Sequence, residues 1–536
     1  DGDKYFGVCT LLATMPGTPM IGHGQIEGFV EKYGMEYRRS YRDETPNQAL
    51  IERHEREIFP LLRLRRLFAE VDNFQLYDFA SSEGHVDENV FAYSNGSGER
   101  RALVFFNNCW KRSSGRITSS CAFAEKDGAG RKHMKTLSLA QALGLEQGPG
   151  NYLAAYELRS RRWYVYRCAD LAAQGWQANL EGYQTLVFTD FTRVHDLDGN
   201  YARLWASLKG QGVEDLDDAL ETAARPELYN ALEKAIDAIL GCEGALRSGK
   251  PAAEQAAAAA LRAEHYFSRL AQALIDEGGP APGIAAVSKG RAIVERGIAA
   301  LGAMLGEGAA PGLAGERADA LGQFRTLLAS GRGLRAFLYY VFIAGLSGLD
   351  AGANQSDELR YVLEKFLVRK KMLQAAGRAP AERIAGALGA VGDEAVCALV
   401  FAFATRPQDK PALPQAPRQT ARQRAAELMR WALSDGEARA ALGINSWEGV
   451  EYFNKERFEA LIELWPCFSV MERLLGRPAK ASDAEAAAAI DLASPVAIDL
   501  AGSVDMRSFQ VAELLRTSES LSSFKCAALL STLEHD

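Results

Sequence analysis

The segment at residues 25–43 concentrates side chains that could do chemistry: Glu27, Glu31, Glu36 and Asp43, with Arg38, Arg39 and Arg42. Carboxylates held in a partly buried loop can have shifted pKa values, and two of them together can act as general acid and base. The arginines allow another interpretation, a solvated loop in which the charges neutralise one another. A guanidinium can also orient a carboxylate or donate several fixed hydrogen bonds to ligand hydroxyl groups.

The elements that would position this segment follow from the pattern around it. Residues 3–14 are predicted to be helical, and Pro16-Gly17 ends that helix. Residues 19–24 read as a short apolar strand ending in glycines. Residues 47–71 predict an amphipathic helix that Pro60 kinks. Helix, buried strand, polar loop and helix together are typical of a β/α unit.

A period of two replaces the helical period between residues 74 and 194. Six segments rich in aromatic and β-branched residues are separated by Gly, Ser and Asn clusters: FQLYDFA, NVFAYSN, RRALVFFNN, GRITSSCA, RRWYVYRC and YQTLVFTDF. This pattern predicts an antiparallel β-sandwich.

The chain is alanine-rich and helical in pattern after residue 196. The apolar run at residues 336–349 is shorter than a bilayer span of about 20 residues and is predicted to be a buried core helix. Four prolines mark residues 406–419 as a linker. The predicted organisation is therefore multidomain α+β, in five segments: 1–72, the β/α unit; 73–196, the sandwich; 197–405, helical; 406–419, linker; and 420–536, helical.

The tail segment GINSWEGVEYFNKERFEALIELW carries a helical apolar pattern. Asn445 and Glu448 have the spacing of a capping box, which predicts a helix start there. Trp447 and Tyr452 could stack on a pyranose face or pack in a core, and Trp110, Trp163 and Trp176 of the sandwich region leave the same choice open.

The order of these elements resembles the α-amylase family of glycoside hydrolases over residues 1–195. The elements that carry the resemblance are, in order, a helix, the motif Pro-Gly-x-Pro, a strand, Gly-Gln followed by acidic residues, a long helix and a small sandwich. In that family the motif marks the eighth strand of a (β/α)8 barrel. The segment at residues 1–72 is thus expected to be the remnant of that barrel, its last β/α unit, and the missing N-terminal part of the barrel to be its partner. Here Gly22 and Ile26 stand where the family has an aromatic residue and an acid, and Glu27 follows one place later.

The resemblance implies carbohydrate metabolism, with retaining hydrolysis or transfer at α-glucosidic bonds of an α-glucan or maltooligosaccharide. Retention requires two carboxylates about 5–5.5 Å apart. In the family these acids come from strands that would lie upstream of residue 1, so no catalytic residue is assigned here and this chain alone is expected to be inactive. Barrel active sites lie at the rim formed by the C-terminal ends of the strands, where the resemblance places the loop at residues 25–43. It therefore implies substrate-binding roles for His23, Gln25, Glu27, Arg38, Arg39 and Asp43, although His23 could instead be a packed core histidine.

Composition excludes several function classes. The net charge of −8 without a basic run argues against nucleic acid or an anionic membrane as partner. No cofactor or metal is indicated, because the calcium-like run at residues 195–200 continues with Tyr201 and Ser207 where glycine and glutamate are needed, so a helix-capping turn is predicted. Eight scattered cysteines predict buried thiols and a cytoplasmic location. The alternative function is a non-catalytic glucan-docking or assembly module.

Overall fold

The computed structural model describes residues 2–31, 41–81, 83–126, 128, 131–248, 253–279, 282–306, 315–349, 355–377, 391–406, 420–475 and 506–535. The chain divides into two compact units, Asp1–Arg225 and Pro226–Asp536. Apart from Arg406, the predicted linker at residues 406–419 lies outside the described residues, and the five-segment division stays a prediction.

The first unit begins with helices, continues as strands and ends with helices. Its helices are α1 Gly2–Thr14, α2 Gln48–Glu57, α3 Phe59–Arg63, α4 Arg65–Phe68, α5 Leu139–Leu143, α6 Cys168–Gln174, α7 Asn200–Leu208 and α8 Leu216–Ala224. Its strands are β1 Gln75–Tyr77, β2 Ala80–Ser81, β3 Val90–Ser97, β4 Arg100–Asn107, β5 Ser113–Ile117, β6 Phe123–Lys126, β7 Lys132–Lys135, β8 Asn151–Glu157, β9 Arg162–Arg167, β10 Trp176–Leu180 and β11 Thr185–His195.

Two antiparallel sheets form the centre of this unit. A six-stranded sheet has the order β1-β3-β4-β11-β8-β9, a three-stranded sheet has the order β10-β5-β2, and β6 and β7 form a separate hairpin. All six segments with period two contain strands, so the prediction of antiparallel sheets is confirmed. Among the described residues no sheet closes into a barrel.

The six-stranded sheet is covered on both faces, as strand β4 illustrates. Leu103 and Phe105 share a buried core with Trp176 of the smaller sheet. Their neighbours Ala102 and Val104 point to the opposite face, because side chains alternate along a strand, and pack with residues of α1, α3 and α4. Further along that sheet, Tyr152, Ala154 and Val165 pack with α7 and α8. The sheet is therefore the middle layer between a second sheet and a layer of helices.

The last strand of the sheet, β9, has its outer edge occupied by a loop. Trp163 and Val213 exchange both backbone hydrogen bonds, at 2.7 and 2.9 Å. Gly212 allows this approach, since a Cβ at that position would lie 2.7 Å from the ring of Tyr164. The loop between α7 and α8 thus covers this edge.

The prediction of a strand at residues 19–24 is wrong. Residues 18–22 have no regular secondary structure and residues 23–28 form turns. A parallel strand needs neighbours to accept and donate its backbone hydrogen bonds, and the described residues include no strand that pairs with this segment. The helix predicted over residues 47–71 exists in three pieces, α2 to α4, starting at Asn47, whose side chain accepts from the Leu50 amide at 3.1 Å.

The second unit is the large helical region that the alanine-rich composition predicts. Its helices are α9 Pro226–Arg247, α10 Ala253–Asp276, α11 Ile284–Leu305, α12 Glu316–Ala329, α13 Gly331–Ser347, α14 Gln355–Lys365, α15 Val368–Gly377, α16 Asp393–Ala404, α17 Ala421–Ser434, α18 Gly436–Ala441, α19 Lys455–Leu474, α20 Met506–Ser522 and α21 Cys526–His535. A short hairpin, β12 Asn445–Trp447 and β13 Val450–Tyr452, precedes α19.

Helix α13 lies at the centre of this unit, and the prediction of a buried core helix is confirmed. Almost every one of its residues is buried. It crosses α11 where two glycines meet, since a Cβ on Gly290 would lie 2.7 Å from the carbonyl oxygen of Gly345. The absence of side chains at this crossing lets the two helix backbones touch.

The prediction that a helix starts at Asn445 is wrong. Asn445 begins strand β12, and Glu448 and Gly449 turn the hairpin with φ of 51° and 80°. Two consecutive positive φ values are typical of the two-residue hairpin turn that glycine favours. The helix begins nine residues later than predicted, with Asn454 as the N-cap that accepts from Arg457 N at 3.0 Å.

Among the described residues, no single helix has the length and apolar character to cross a bilayer. Residues 318–329 and 331–347 meet that criterion only when taken together, and they bend by 96° where they join.

Glu519 is a buried acid on α20 with unusual titration. It is 3% exposed, and its Oε1 has no hydrogen-bond partner among the described residues. Burial, reinforced by the nearby Glu459 charge, raises the pKa of its carboxyl to about 7. The protonated form is therefore the one that suits this environment.

We expect stability to fall as pH rises from 4.5, the usual pKa, to about 7, because native Glu519 retains a proton that the unfolded chain releases. Above about pH 7 this contribution becomes constant. Glu519→Gln should remove the slope and raise the free energy of unfolding by about 2 kcal/mol at pH 8. Denaturant titrations at pH 5 and pH 8 measure it. Glu513→Gln, at an exposed position of the same helix, is the control, and an equal gain there would contradict the prediction.

Candidate functional site

Two carboxylates hold the ends of the acidic loop, and both do so through backbone amides. The side chain of Glu44 accepts hydrogen bonds from the amides of Val30 and Glu31, each at 2.8 Å. The Glu31 carboxylate in turn accepts from the amides of Tyr41 at 2.8 Å and Arg42 at 2.9 Å. These backbone hydrogen bonds lower the pKa of Glu44, so it stays ionised. Both acids brace the loop, and Glu31 is unsuited to the acid–base role considered for it.

The remaining predicted loop residues are spread between the surface and the interior. His23 is exposed, with its ring 6.5 Å from that of Phe29, which argues against a packed core histidine. Asp43 is exposed, whereas Gln25 and Glu27 are half-buried. Arg38, Arg39 and Glu36 lie outside the described residues, so their placement stays a prediction.

Gln25 lies over a polar cluster between α1 and α2. The hydroxyl of Tyr5 donates to the carbonyl oxygen of Gln25 at 3.3 Å and lies 3.0 Å from Nε2 of His54. The amide of Gln25 approaches Sγ of Cys9 at 3.9 Å. The only Tyr5 proton goes to a carbonyl, so Nε2 of His54 must carry the proton in the second bond. Nδ1 of His54 is then a bare acceptor, buried and without a partner among the described residues.

Burial sets the protonation states in this cluster. It lowers the pKa of His54, which is 1% exposed, against the opposing effects of Glu57 and Glu27. Burial also raises the pKa of Tyr5 to about 12 and raises the pKa of the Cys9 thiol. At neutral pH all three groups are therefore neutral. The cluster can anchor the loop through Gln25, but it offers neither a thiolate nucleophile nor a charged acid.

A second polar region is a cleft of about 430 Å³ in the same unit. Helices α1 and α2, the β8–β9 turn and the segment before β11 line it. The charged lining residues are four arginines and three acids, which leaves one net positive charge: Arg53, Arg56, Arg159, Arg161, Asp3, Glu57 and Glu181. No spacing motif in the sequence indicates this cleft.

Glu57 is shared by three guanidinium groups on the cleft wall. Its carboxylate lies 2.8 Å from Arg53, 3.2 Å from Arg56 and 3.6 Å from Arg159. Arg53 also contacts Asp3 at 2.6 Å and lies over the ring of Phe6, 4.0 Å from its centroid. Glu57 and Asp3 together face three guanidinium groups, so these lining residues keep one net positive charge.

Arg159 is the most enclosed of these cations and links three elements. It donates to the Glu57 carbonyl and to Thr10 Oγ1, both at 2.6 Å, and to Thr185 Oγ1 at 3.1 Å. Burial lowers its pKa, Glu57 opposes that shift, and Arg53 and Arg56 reinforce it. A guanidinium stays protonated in proteins even so. Arg159 is therefore a fixed positive charge at the base of the cleft.

The buried Glu157 shapes the turn that carries Arg159 and Arg161. Its carboxylate accepts from the amides of Arg159 at 3.0 Å, Ser160 at 2.7 Å and Val187 at 3.1 Å. The Glu157 carboxylate thus accepts hydrogen bonds from two backbone amides of the four-residue turn at 158–161, in place of backbone carbonyls. Arg161 is exposed on this turn with a φ of 55°.

The calcium-like run at residues 195–200 caps a helix, as predicted. The Asp196 carboxylate accepts from the amides of Tyr201 at 3.3 Å and Ala202 at 2.9 Å, in the first turn of α7. Asp198 accepts from the amide of Asn200 at 3.0 Å. The carboxylate oxygens of Asp196 and Asp198 therefore accept hydrogen bonds from backbone amides at the start of α7.

The aromatic candidates divide by exposure. Trp176 is 1% exposed and belongs to the core, whereas Trp110 and Trp447 are each 70% exposed. Trp163 and Tyr452 are half-buried. Core packing is therefore the role of Trp176, whereas Trp447 is open to solvent and the ammonium of Lys111 lies 5.3 Å from the ring centroid of Trp110.

No protein-family profile matches this sequence, and no curated protein matches it significantly.

Proposed function

We propose that this chain is the C-terminal portion of an α-amylase-like glycosidase or transglycosidase acting on α-glucans, and that it contributes substrate contacts without the catalytic carboxylates. Residues 2–72 would be the last β/α unit of the barrel, followed by the sandwich domain. The helical unit would be an extension of that enzyme. The observation that carries the proposal is an apolar stripe on the outer face of α1.

Helix α1 is apolar on two opposite sides. Phe6 and Ala13 are buried within the first unit. On the other side, Val8, Leu12 and Met15 remain 50%, 36% and 38% exposed and follow one another at helical spacing. A helix with two apolar faces is typical of one packed between two layers. The helices that surround a barrel have this position when a further domain covers them from outside.

The loop after α1 is consistent with a rim role. Barrel active sites lie at the C-terminal ends of the strands, and the resemblance places the loop at residues 25–43 at that rim, after residues 19–24, which form no strand here. Bracing by Glu31 and Glu44 fixes the ends of this loop, while His23 and Asp43 stay open to solvent. We assign substrate contacts to His23, Gln25, Glu27, Arg38, Arg39 and Asp43, the residues that the resemblance places at the rim.

The test joins this chain to the part of the reading frame that precedes it in its gene. The joined protein should hydrolyse or transfer maltooligosaccharides, and this chain alone should not, because both carboxylate roles would come from upstream strands. Asp43→Ala in the joined protein should mainly raise KM, since it removes binding and leaves the chemistry intact. Asp72→Ala, another exposed acid, is the control. An upstream region without a β/α repeat, or a joined protein inactive on every α-glucan, would refute the proposal.

The second candidate is a non-catalytic glucan-docking or assembly module, and the exposed rings of Trp110 and Trp447 favour it. Flat aromatic faces can stack on pyranose rings. In this case the chain alone should be retarded in a gel containing starch, and Trp110→Ala or Trp447→Ala should reduce the retardation. Leu197→Ala is the control, because Leu197 is 89% exposed but not aromatic. Mobility unaffected by starch would exclude this candidate.

A further inference from the structure

We propose that the arginine-lined cleft of the first unit binds the phosphate group of a small phosphorylated ligand, with Arg56 and Arg161 as its direct contacts. The cleft volume of about 430 Å³ lies in the range of small-molecule sites. The proposal is independent of glucan turnover, because it concerns residues outside the acidic loop.

The charges of the cleft favour an anion. Glu57 is paired with three guanidinium groups, Asp3 with Arg53 and Glu181 with Arg112 at 3.5 Å, so all three lining acids are committed to ion pairs. Arg161 has no hydrogen bond or ion pair with any residue in the described part of the chain. Arg56 uses one of its donors, to Glu57 at 3.2 Å, and remains 57% exposed. Two exposed guanidiniums with unused donors therefore line a cleft that the buried Arg159 makes more positive.

The backbone at the rim supports a role for these side chains. Arg161 and Tyr183 both line the cleft, and both have left-handed backbones with φ of 55° and 58°. Glycine adopts this conformation at lower cost, so a turn selected only for stability would favour glycine there. Strained residues that converge on one cleft are typical of binding sites. The hydroxyl of Tyr183 has no partner among the described residues and is a further donor at this rim.

A phosphate monoester is the anion that this donor set fits best. Guanidinium groups match phosphate oxygens by paired hydrogen bonds, and the three free oxygens of a monoester can accept from two arginines at once. The rest of the cleft wall offers the polar side chains of Tyr183 and Gln184, which suit the polar body of a sugar or similar alcohol. A carboxylate offers only two oxygens and leaves more of the donors unmatched.

The binding test uses calorimetric titration of the whole chain with glucose 6-phosphate, inorganic phosphate and glucose at low ionic strength. The ester should bind and glucose should not. Affinity should rise between pH 5 and pH 7.5, because the second phosphate pKa is about 6 and the arginines stay charged. Equal affinity for inorganic phosphate would uphold the anion site and identify free phosphate as its ligand. A folded chain that binds neither phosphate compound would overturn the proposal.

Arg161→Gly separates binding from stability. It should weaken binding of the ester about tenfold by removing a charged hydrogen-bond donor. The same change should raise the midpoint of thermal unfolding by about 2 °C, because glycine relieves the left-handed backbone. Arg56→Gln should also weaken binding. The matched control is Arg162→Gln, at the next residue, which begins strand β9 and lies outside the cleft lining. A similar loss of affinity in the control would mean that only net charge matters and would refute the assigned contacts.

Discussion

Arg159→Met is expected to lower the free energy of unfolding of the first unit by about 3–4 kcal/mol. The guanidinium is 17% exposed and is the common donor to α1, α2 and β11. Methionine fills a similar volume but leaves the Glu57 carbonyl and two threonine hydroxyls without that donor, and unsatisfied buried acceptors are costly. The loss should concentrate where helices α1 and α2 meet the sheet.

Denaturant titration, with hydrogen exchange of β4 and β11 to locate the effect, measures this change. Arg159→Lys should fall between wild type and methionine, because one ammonium keeps the charge but cannot reach three acceptors in fixed geometry. Arg162→Met, at the start of β9 just after that turn, is the matched control; Arg162 is 44% exposed and 3.9 Å from Glu214, and its replacement should change stability by less than about 0.5 kcal/mol. Equal effects at both positions would show that Arg159 is not a structural link.

Two glycine-to-alanine changes in the helical unit are expected to have opposite signs. At Gly290 a Cβ would lie 2.7 Å from the Gly345 carbonyl oxygen and 3.0 Å from the ring of Phe267. Helix α11 would have to move away from α13, at a cost of about 1–3 kcal/mol that exceeds the helix propensity gained. At Gly241, in the exposed interior of α9, no atom lies within 4 Å of a Cβ, so alanine should stabilise by about 0.5–1 kcal/mol.

Thermal and denaturant unfolding of Gly290→Ala and Gly241→Ala, compared with wild type, check the prediction. The two changes are chemically the same, so the difference between them isolates the helix crossing. Stabilisation by both variants would mean that α11 and α13 are not in backbone contact at Gly290.

The strands that the sequence pattern predicted differ in composition from β8, one of those that it missed. Strand β4 contains Val104, Phe105 and Phe106, whose β-branched and aromatic side chains mark it plainly. Strand β8 reads NYLAAYE, and its alanines weaken the signal. Those alanines are there because Ala154 faces the helices and Ala155 faces the smaller sheet. Which positions of a covered strand hold small side chains and which hold large ones is set by the layers packed against it, and those layers are distant in sequence.

The candidate site likewise has features that the sequence pattern indicates and features that it does not. The acidic loop was visible because its charges are adjacent along the chain. The roles of its acids were not, since Glu31 and Glu44 bind amides whose approach depends on the loop path. The cleft joins Arg56 to Arg161, more than a hundred residues apart, and its only local signal was the Arg53–Glu57 pair at helical spacing. Charges that converge from separate elements carry no spacing motif.

The loop that covers β9 bears on how this unit behaves at high concentration. An open strand edge is a template on which a second chain can add a strand, and this is a common route to aggregates. The backbone N–H and C=O groups of Trp163 are already hydrogen-bonded to Val213. The strand at the opposite edge of the sheet, β1, is only three residues long. Growth of the sheet from one molecule to the next is therefore hindered at both ends. Gly212 is the residue on which this protection rests, because any larger side chain there would push the loop away from Tyr164 and uncover the edge.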